Sequence, residues 1–235
     1  MNTAVPQVPP IAIVALDVPT YADAQAMVTR VGPRAEFFKV GLQLFAAEGP
    51  RVVEWLHAQG KRVFLDLKLH DIPNTVRRAA ESAQRMNVAL LTVHGLGGAA
   101  MVRAAVEGAG DATGVMVVTV LTSMDSTEYG TAIGRPQVTV ETEVLRLSAV
   151  AAEAGAHGVV TSGGEVAAVR RAFGDRLQAL VPGIRMTGDP ANDQLRIVTP
   201  AAAAANGAAY IIVGRAVTSA PDPAAALERV LAELQ

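Results

Sequence analysis

The fold is decided by the stretch FLDLKLHDIPNTV, residues 64–76. It begins as an apolar, strand-like run, carries charged residues where that run ends, and passes through Pro73 into a segment with helical spacing. Proline suits the first turn of a helix, and Val76, Ala80 and Ala83 then recur on one helical face. The stretch therefore predicts a strand followed at once by a helix, which is the repeating unit of α/β proteins.

Further apolar runs alternate with helix-like segments along the whole chain. Runs of this kind that are nearly continuous in apolar character are typical of parallel strands buried on both faces. Eight are present: 11–17, 37–41, 62–68, 88–94, 114–122, 158–161, 177–181 and 209–214. Eight such units indicate an α/β fold of the closed (β/α)8 TIM-barrel type, a single catalytic domain at 11–235 behind a flexible N-terminal lead at 1–10.

An open, doubly wound sheet is the competing architecture. It is disfavoured because no GxGxxG follows the first strand and no shift in composition marks a second domain. The polar segment 183–199 is longer than most connections between a strand and a helix, and segments of this kind often act as lids.

Composition and charge narrow the classes of function. Of the 235 residues, 51% are hydrophobic and 18% charged, which indicates a globular domain with a large core. The net charge of −2 predicts binding to neither nucleic acid nor an anionic membrane. The chain lacks cysteine, a stretch like a signal peptide, and any run near the ~18 apolar residues of a membrane span, so we expect a cytoplasmic protein.

Charged residues cluster where the predicted strands end, which is the catalytic end of such a barrel. Asp66 and Lys68 are two apart and should point to one face of their strand, and Asp71 follows three residues later. Asp17 and Lys39 end two other strands. Only three of the 20 basic residues are lysines, and two of these lie at strand ends. An ammonium can give up and regain a proton, unlike a guanidinium, so Lys68 is the candidate acid; a purely structural ion pair is the alternative.

Two further segments predict a phosphate site. In these barrels phosphate is commonly bound after strands seven and eight. PGIR at 182–185 and VGR at 213–215 occupy those places. Gly214 would let a backbone N–H approach an oxyanion that Arg215 grips, although glycine also simply ends strands. No spacing typical of metal ligands emerges.

The sequence resembles the orotidine 5'-monophosphate decarboxylase family from Ile11 onward. Besides the central stretch, the resemblance includes VALD at 14–17, FFKVG at 37–41, VTVLTSMD at 118–125, VPGIRMTGDPANDQ at 181–194 and IIVGRAVT at 211–218. It implies an enzyme of de novo pyrimidine biosynthesis that converts orotidine 5'-monophosphate to uridine 5'-monophosphate without cofactor or metal.

The resemblance also implies a role for each matching residue. Lys68 would protonate carbon six, and Asp66 would lie near the substrate carboxylate, with Lys39 and Asp71 completing the charged array. Asp17 and Lys39 would contact the ribose. Asp71 and Thr75 would reach into a neighbouring subunit, which implies a homodimer. The base would meet Thr122 and Ser123, and the phosphate would meet Arg185, Gln194, Gly214 and Arg215 under a lid at 185–194.

Two rival functions stay open at this point. A magnesium-dependent sugar-phosphate decarboxylase or aldolase of the same barrel group shares the Asp-x-Lys-x-x-Asp motif, although LTS at 121–123 and the segment at 181–194 favour the nucleotide enzyme. The other rival is a barrel that binds a phosphorylated ligand without turning it over. Intact Asp66, Lys68 and Asp71 argue against that alternative.

Overall fold

The computed structural model describes residues 9–188 and 196–235, and these form a closed barrel of eight parallel strands. Each strand pairs with the next, and β1 closes the barrel on β8 through pairs such as Ile13 with Ile212. The strands are β1 Ile11–Leu16, β2 Phe37–Gly41, β3 Arg62–Leu69, β4 Leu90–His94, β5 Gly114–Val118, β6 Gly158–Val160, β7 Gln178–Val181 and β8 Tyr210–Val213. The prediction of a (β/α)8 barrel is confirmed.

Helices cover the outside of the barrel. In the described part of the chain they are α1 Tyr21–Val31, α2 Leu42–Glu48, α3 Arg51–Ala58, α4 Pro73–Arg85, α5 Gly98–Ala109, α6 Ser126–Ala132, α7 Val140–Glu153, α8 Val166–Phe173, α9 Pro200–Ala205, α10 Arg215–Thr218 and α11 Pro223–Glu233. Short 3-10 turns lie at Gly95–Gly97 and Gly174–Arg176. None of the helices in the described residues is long and apolar enough to cross a membrane.

The alternation of side chains along the strands produces two apolar layers. Val14 and Leu16 pack outward with the helices, whereas Ile13 and Ala15 belong to a separate cluster inside the barrel. The other buried members of that inner cluster are Phe37, Phe64, Leu90, Met116, Leu180 and Ile212. Because these side chains fill the barrel, open space for a ligand lies beyond them, at the carboxyl ends of the strands.

Several strands are shorter than the sequence predicts, and β4 and β5 show the physical reasons. β4 begins at Leu90 and not at residue 88, because the Val88 N–H donates to Ala83 and so completes the end of α4. β5 ends at Val118, and Val120, Leu121 and Thr122 form part of a cavity wall instead. The helix after β3 agrees with its prediction, since Pro73 is its first residue and Val76, Ala80 and Ala83 are its buried positions.

Candidate active site

A cavity of about 740 Å³ opens at the carboxyl ends of the strands. Its walls combine the barrel's inner apolar layer with charged and hydroxyl-bearing side chains. Of the predicted site residues in the described part of the chain, the structure brings nine to this cavity: Asp17, Lys39, Asp66, Lys68, Thr122, Ser123, Arg185, Gly214 and Arg215. Gln194 and most of the predicted lid lie outside the described residues, as do residues 1–8 of the predicted lead.

Four charged groups form a chain of alternating sign along the cavity. Lys39 Nζ lies 2.7 Å from Asp17 Oδ1 and 3.5 Å from Asp66 Oδ2. Lys68 Nζ donates to both carboxylate oxygens of Asp66, at 2.8 and 2.9 Å. Lys39 and Asp66 are buried, whereas the side chain of Lys68 is 34% exposed. The array therefore holds one ammonium deep in the barrel and presents the other to the cavity.

The electrostatic balance at Asp66 favours its charged form. Burial by itself would raise the pKa of this carboxyl, but the charges of Lys68 and Lys39 and hydrogen bonds from Lys68 and Thr92 outweigh it and lower the pKa below its ordinary value of 3.8. Asp66 is therefore a carboxylate at neutral pH, and it serves the site as a fixed negative charge and not as a proton donor.

The backbone at Lys68 departs from regular strand geometry. Its φ of 49° lies in the left-handed region, which costs a residue other than glycine roughly 1–2 kcal/mol. The β3–β4 register shifts at the same place, between the pairs Leu65–Leu91 and Leu69–Val93. Asp66 and Lys68 do meet, as the two-residue spacing predicts. They do so in an irregular segment, which sequence periodicity did not reveal.

A glycine makes room for the buried lysine. A Cβ atom at Gly41 would lie 2.9 Å from Lys39 Nζ and 3.2 Å from Asp17 Oδ1. Gly41 is also the residue where β2 ends and α2 begins. Because Gly41 has no side chain, the Lys39–Asp17 pair can occupy this position at the end of β2.

The part of the cavity wall that follows β7 and β8 carries the predicted phosphate residues. Pro182, Gly183 and Arg185 follow β7, while Gly214 and Arg215 lie between β8 and α10. Arg185 is buried, and its guanidinium donates to the Ile184 carbonyl at 2.8 Å. Arg215 is exposed at the start of α10. Two arginines and two glycines thus line this part of the cavity, a set of residues suited to a phosphate dianion.

Sequence reasoning missed an arginine behind the predicted base-contacting loop. Arg196 donates to the carbonyls of Val120 and Leu121, at 3.2 and 3.1 Å, and pairs with Glu165 at 3.0 Å. It therefore joins the chain after β7 to the loop that carries Thr122. Nothing in its sequence context distinguishes it from the other 16 arginines, so only the structure assigns this role.

Two predicted site residues lie apart from this chain's own cavity. Among the described residues, Asp71 and Thr75 are exposed and do not line it. The carboxylate of Asp71 accepts a hydrogen bond from the following backbone N–H, that of Ile72, at 2.6 Å. Thr75 lies in the first turn of α4. Both side chains face outward at the start of that helix.

Fold and site together define a class: a (β/α)8-barrel enzyme for a small phosphorylated substrate, with an alternating array of carboxylates and ammonium groups at its reacting end. Residues 10–230 match the sequence profile of the orotidine 5'-phosphate decarboxylase / HUMPS family. The chain belongs to that family.

Relatives and solved structures agree with this assignment. The chain is 51% identical over 222 residues to orotidine 5'-phosphate decarboxylase of Anaeromyxobacter dehalogenans, covering 94% of this chain and 96% of the relative. It is 43% identical to that of Moorella thermoacetica, covering 95% and 91%. The crystal structure of the Lactobacillus acidophilus enzyme of the same name superposes with a TM-score of 0.85 at 33% identity, covering 97% of this chain and all of that one.

Proposed function

We infer that this enzyme decarboxylates orotidine 5'-phosphate to uridine 5'-phosphate in pyrimidine biosynthesis. The observation that carries the inference is the Asp17–Lys39–Asp66–Lys68 array in the cavity of a chain 51% identical to an enzyme of that name. The magnesium-dependent sugar-phosphate alternative is not favoured, because curated relatives at 43% to 51% identity bear the decarboxylase name.

The charges that line the cavity favour one orientation of the substrate. In it the phosphate lies against Arg185, Gly214 and Arg215, and the family resemblance adds Gln194 to this group. A phosphate dianion binds best beside these arginines, because a guanidinium group can form two hydrogen bonds to it at once. The ribose hydroxyls then face Asp17 and Lys39, and the base faces Thr122 and Ser123. This orientation directs the reacting carbon toward Lys68.

Lys68 acts as the general acid. As carbon dioxide leaves, the bond from carbon six to the carboxylate breaks and its electron pair stays on carbon six. The ammonium of Lys68 stabilises this developing negative charge and donates a proton to it, which forms the new carbon–hydrogen bond. Asp66 holds that ammonium through two short hydrogen bonds, so the donor is oriented before the substrate arrives.

Repulsion between Asp66 and the substrate carboxylate contributes less. Two like charges 4 Å apart interact by about 4 kcal/mol at an effective dielectric constant near 20. Enzymatic accelerations correspond to roughly 8–23 kcal/mol. Stabilisation of the carbanion, together with binding energy from the distant phosphate, therefore supplies the larger share.

The working form of the enzyme is a homodimer with two composite sites. Asp71 and Thr75 are exposed and do not line their own cavity, and the neighbouring Ile72, at 67%, is the most exposed large apolar side chain among the described residues. Across a dimer interface they would complete the partner's array. We assign the catalytic domain to residues 11–235. A cytoplasmic location stays a prediction.

A direct assay tests this function. Purified protein is mixed with orotidine 5'-phosphate, with and without a chelator, and the loss of orotate absorbance is followed. We expect turnover that the chelator does not affect. Lys68→Ala should abolish it, whereas Lys61→Ala, a control at the opposite end of β3, should not. Absence of turnover, or turnover only with magnesium, would favour the sugar-phosphate rival.

A further inference from the structure

We propose that Thr92 is a positioning residue that fixes Asp66 and Lys68 in their working geometry. It sets the rate of the chemical step and not the affinity for the nucleotide. The proposal rests on the proposed function, since the rate in question is that of decarboxylation. Thr92 is outside the set of residues predicted from the sequence.

The Thr92 hydroxyl touches both members of the reacting pair. It lies in the middle of β4, and the residue is fully buried. Its oxygen accepts a hydrogen bond from the Lys68 backbone N–H at 2.8 Å, and its single proton is donated to Asp66 Oδ1 at 2.9 Å. A hydroxyl has one donor and can accept at the same time, so one side chain satisfies both groups.

The Lys68 N–H needs such a partner because the strand ladder is interrupted there. From Leu65 to Leu69 the β3 strand advances four residues, while its partners on β4, Leu91 and Val93, are only two apart. The extra length is taken up around Lys68, where φ is positive. Thr92 lies between the two partner positions, and its side chain replaces the missing backbone acceptor.

The same hydroxyl fixes the direction of the Asp66 carboxylate. Lys68 binds both oxygens of that carboxylate, and Lys39, itself paired with Asp17, approaches the second oxygen. The Thr92 hydroxyl donates a hydrogen bond to the first oxygen, Asp66 Oδ1. If this hydroxyl is lost, the buried Asp66 oxygen and the partly buried Lys68 N–H both lose a partner, and the carboxylate can rotate together with the ammonium it holds.

Valine is the informative replacement, because it keeps the shape of threonine and removes only the hydroxyl. We expect Thr92→Val to lower kcat for orotidine 5'-phosphate about 10- to 100-fold, the rate equivalent of losing a hydrogen bond to a charged group. KM, and the Kd for uridine 5'-phosphate, should change less than about 3-fold, because the phosphate and ribose contacts remain. Thr92→Ser should restore kcat to within about 3-fold of the unmodified enzyme.

Thr113→Val is the matched control. Thr113 is also buried and donates its hydroxyl to the Val88 carbonyl at 2.8 Å, but it lies at the opposite end of the barrel. It should keep the kcat of the unmodified enzyme even if it unfolds at a lower temperature. An equal loss of kcat in both valine variants would show a general effect of stability and overturn the proposal. An unchanged kcat in Thr92→Val, or no recovery in Thr92→Ser, would overturn it too.

A crystal structure of Thr92→Val separates this proposal from the proposed function. If the unmodified enzyme fails to decarboxylate, the function is wrong, but the geometric claim can still be measured. We expect Lys68 to leave the left-handed region, or its Nζ to move away from Asp66 Oδ1. Unchanged Lys68 and Asp66 geometry would refute the positioning role.

Discussion

Replacing Asp66 with asparagine tests whether the buried charge array stabilises the fold. The carboxylate lies 2.8 Å from Lys68 Nζ and 3.5 Å from Lys39 Nζ. At an effective dielectric constant near 20, these attractions amount to about 6 and 5 kcal/mol. The cost of burying the carboxylate opposes them, Lys68 is partly solvated, and Lys39 keeps Asp17 as a partner. Removing one member of a buried ion pair costs about 3–5 kcal/mol, so with these offsets we expect a net loss near the lower end, about 3 kcal/mol, in the free energy of unfolding.

The direction of this change in the free energy of unfolding follows from the pKa of Asp66. Because folding lowers this pKa, the carboxylate stabilises the fold at any pH above its ordinary value of 3.8, and that contribution is lost only as pH falls through the lower, folded-state pKa. Urea unfolding at pH 7 measures the difference. Asp175→Asn is the control, since Asp175 forms an ion pair with Arg170 but its side chain is 90% exposed. That control should change stability by less than about 0.5 kcal/mol.

An Asp66→Asn variant as stable as the unmodified enzyme, or more stable, would refute this reasoning. It would mean that the cost of burying the carboxylate exceeds its attraction to the two ammonium groups. The array would then be maintained at the expense of stability.

Three further predictions concern the dimer, the Lys39 pocket and pH. Mixing Lys68→Ala subunits with Asp71→Ala subunits should restore about a quarter of all sites in a statistical mixture, because half the dimers are mixed and one of their two sites is then intact; activity that stays absent although subunits exchange would contradict composite sites. Gly41→Ala should raise KM about 10-fold, because its Cβ displaces Lys39 Nζ and Asp17. Steady-state kinetics measure KM, with Gly164→Ala as the control because a Cβ at Gly164 would have its nearest neighbouring atom 3.8 Å away. Equal KM values for the two variants would disprove the prediction. The pKa of His94 is lowered below 6.5 by burial and by the nearby His70 and Lys68, so the unfolded chain binds more protons and the free energy of unfolding falls as pH drops below about that value. His94→Gln should reduce this dependence of the free energy of unfolding on pH, measured by urea unfolding between pH 7.5 and 5.5. An unchanged dependence would contradict the prediction.

The fold was predictable because every strand is a largely apolar run, and eight such runs separated by helical segments allow few other arrangements. Boundaries were less predictable. Val88 reads as part of a strand but completes the end of α4, and residues after Val118 keep a strand-like composition while forming the cavity wall. Tertiary contacts, and not composition, determine the secondary structure of such boundary residues.

The charged part of the site was also predictable, because charged residues are rare in apolar strands. Asp17 directly follows β1, Lys39 lies within β2, and Asp66 and Lys68 lie in the second half of β3. The role of Thr92 was not predictable, because threonine is a common β-branched residue inside strands. Its role depends on the irregularity at Lys68, which breaks the two-residue period that the prediction assumed. The assignments of Asp71 and Thr75 rest on family resemblance, since a single chain carries no sign of what its outward side chains meet.

Exchange of the carbon-six hydrogen of uridine 5'-phosphate in D2O tests the central claim most directly. Removing that proton passes through the same carbanion as decarboxylation, without carbon dioxide, so the rate reports how well the site and Lys68 stabilise it. Proton NMR of the product follows the exchange. We predict enzyme-dependent exchange that falls at least ~100-fold in Lys68→Ala and persists in Lys61→Ala. Equal exchange rates for Lys68→Ala and the unmodified enzyme would contradict Lys68 as the acid.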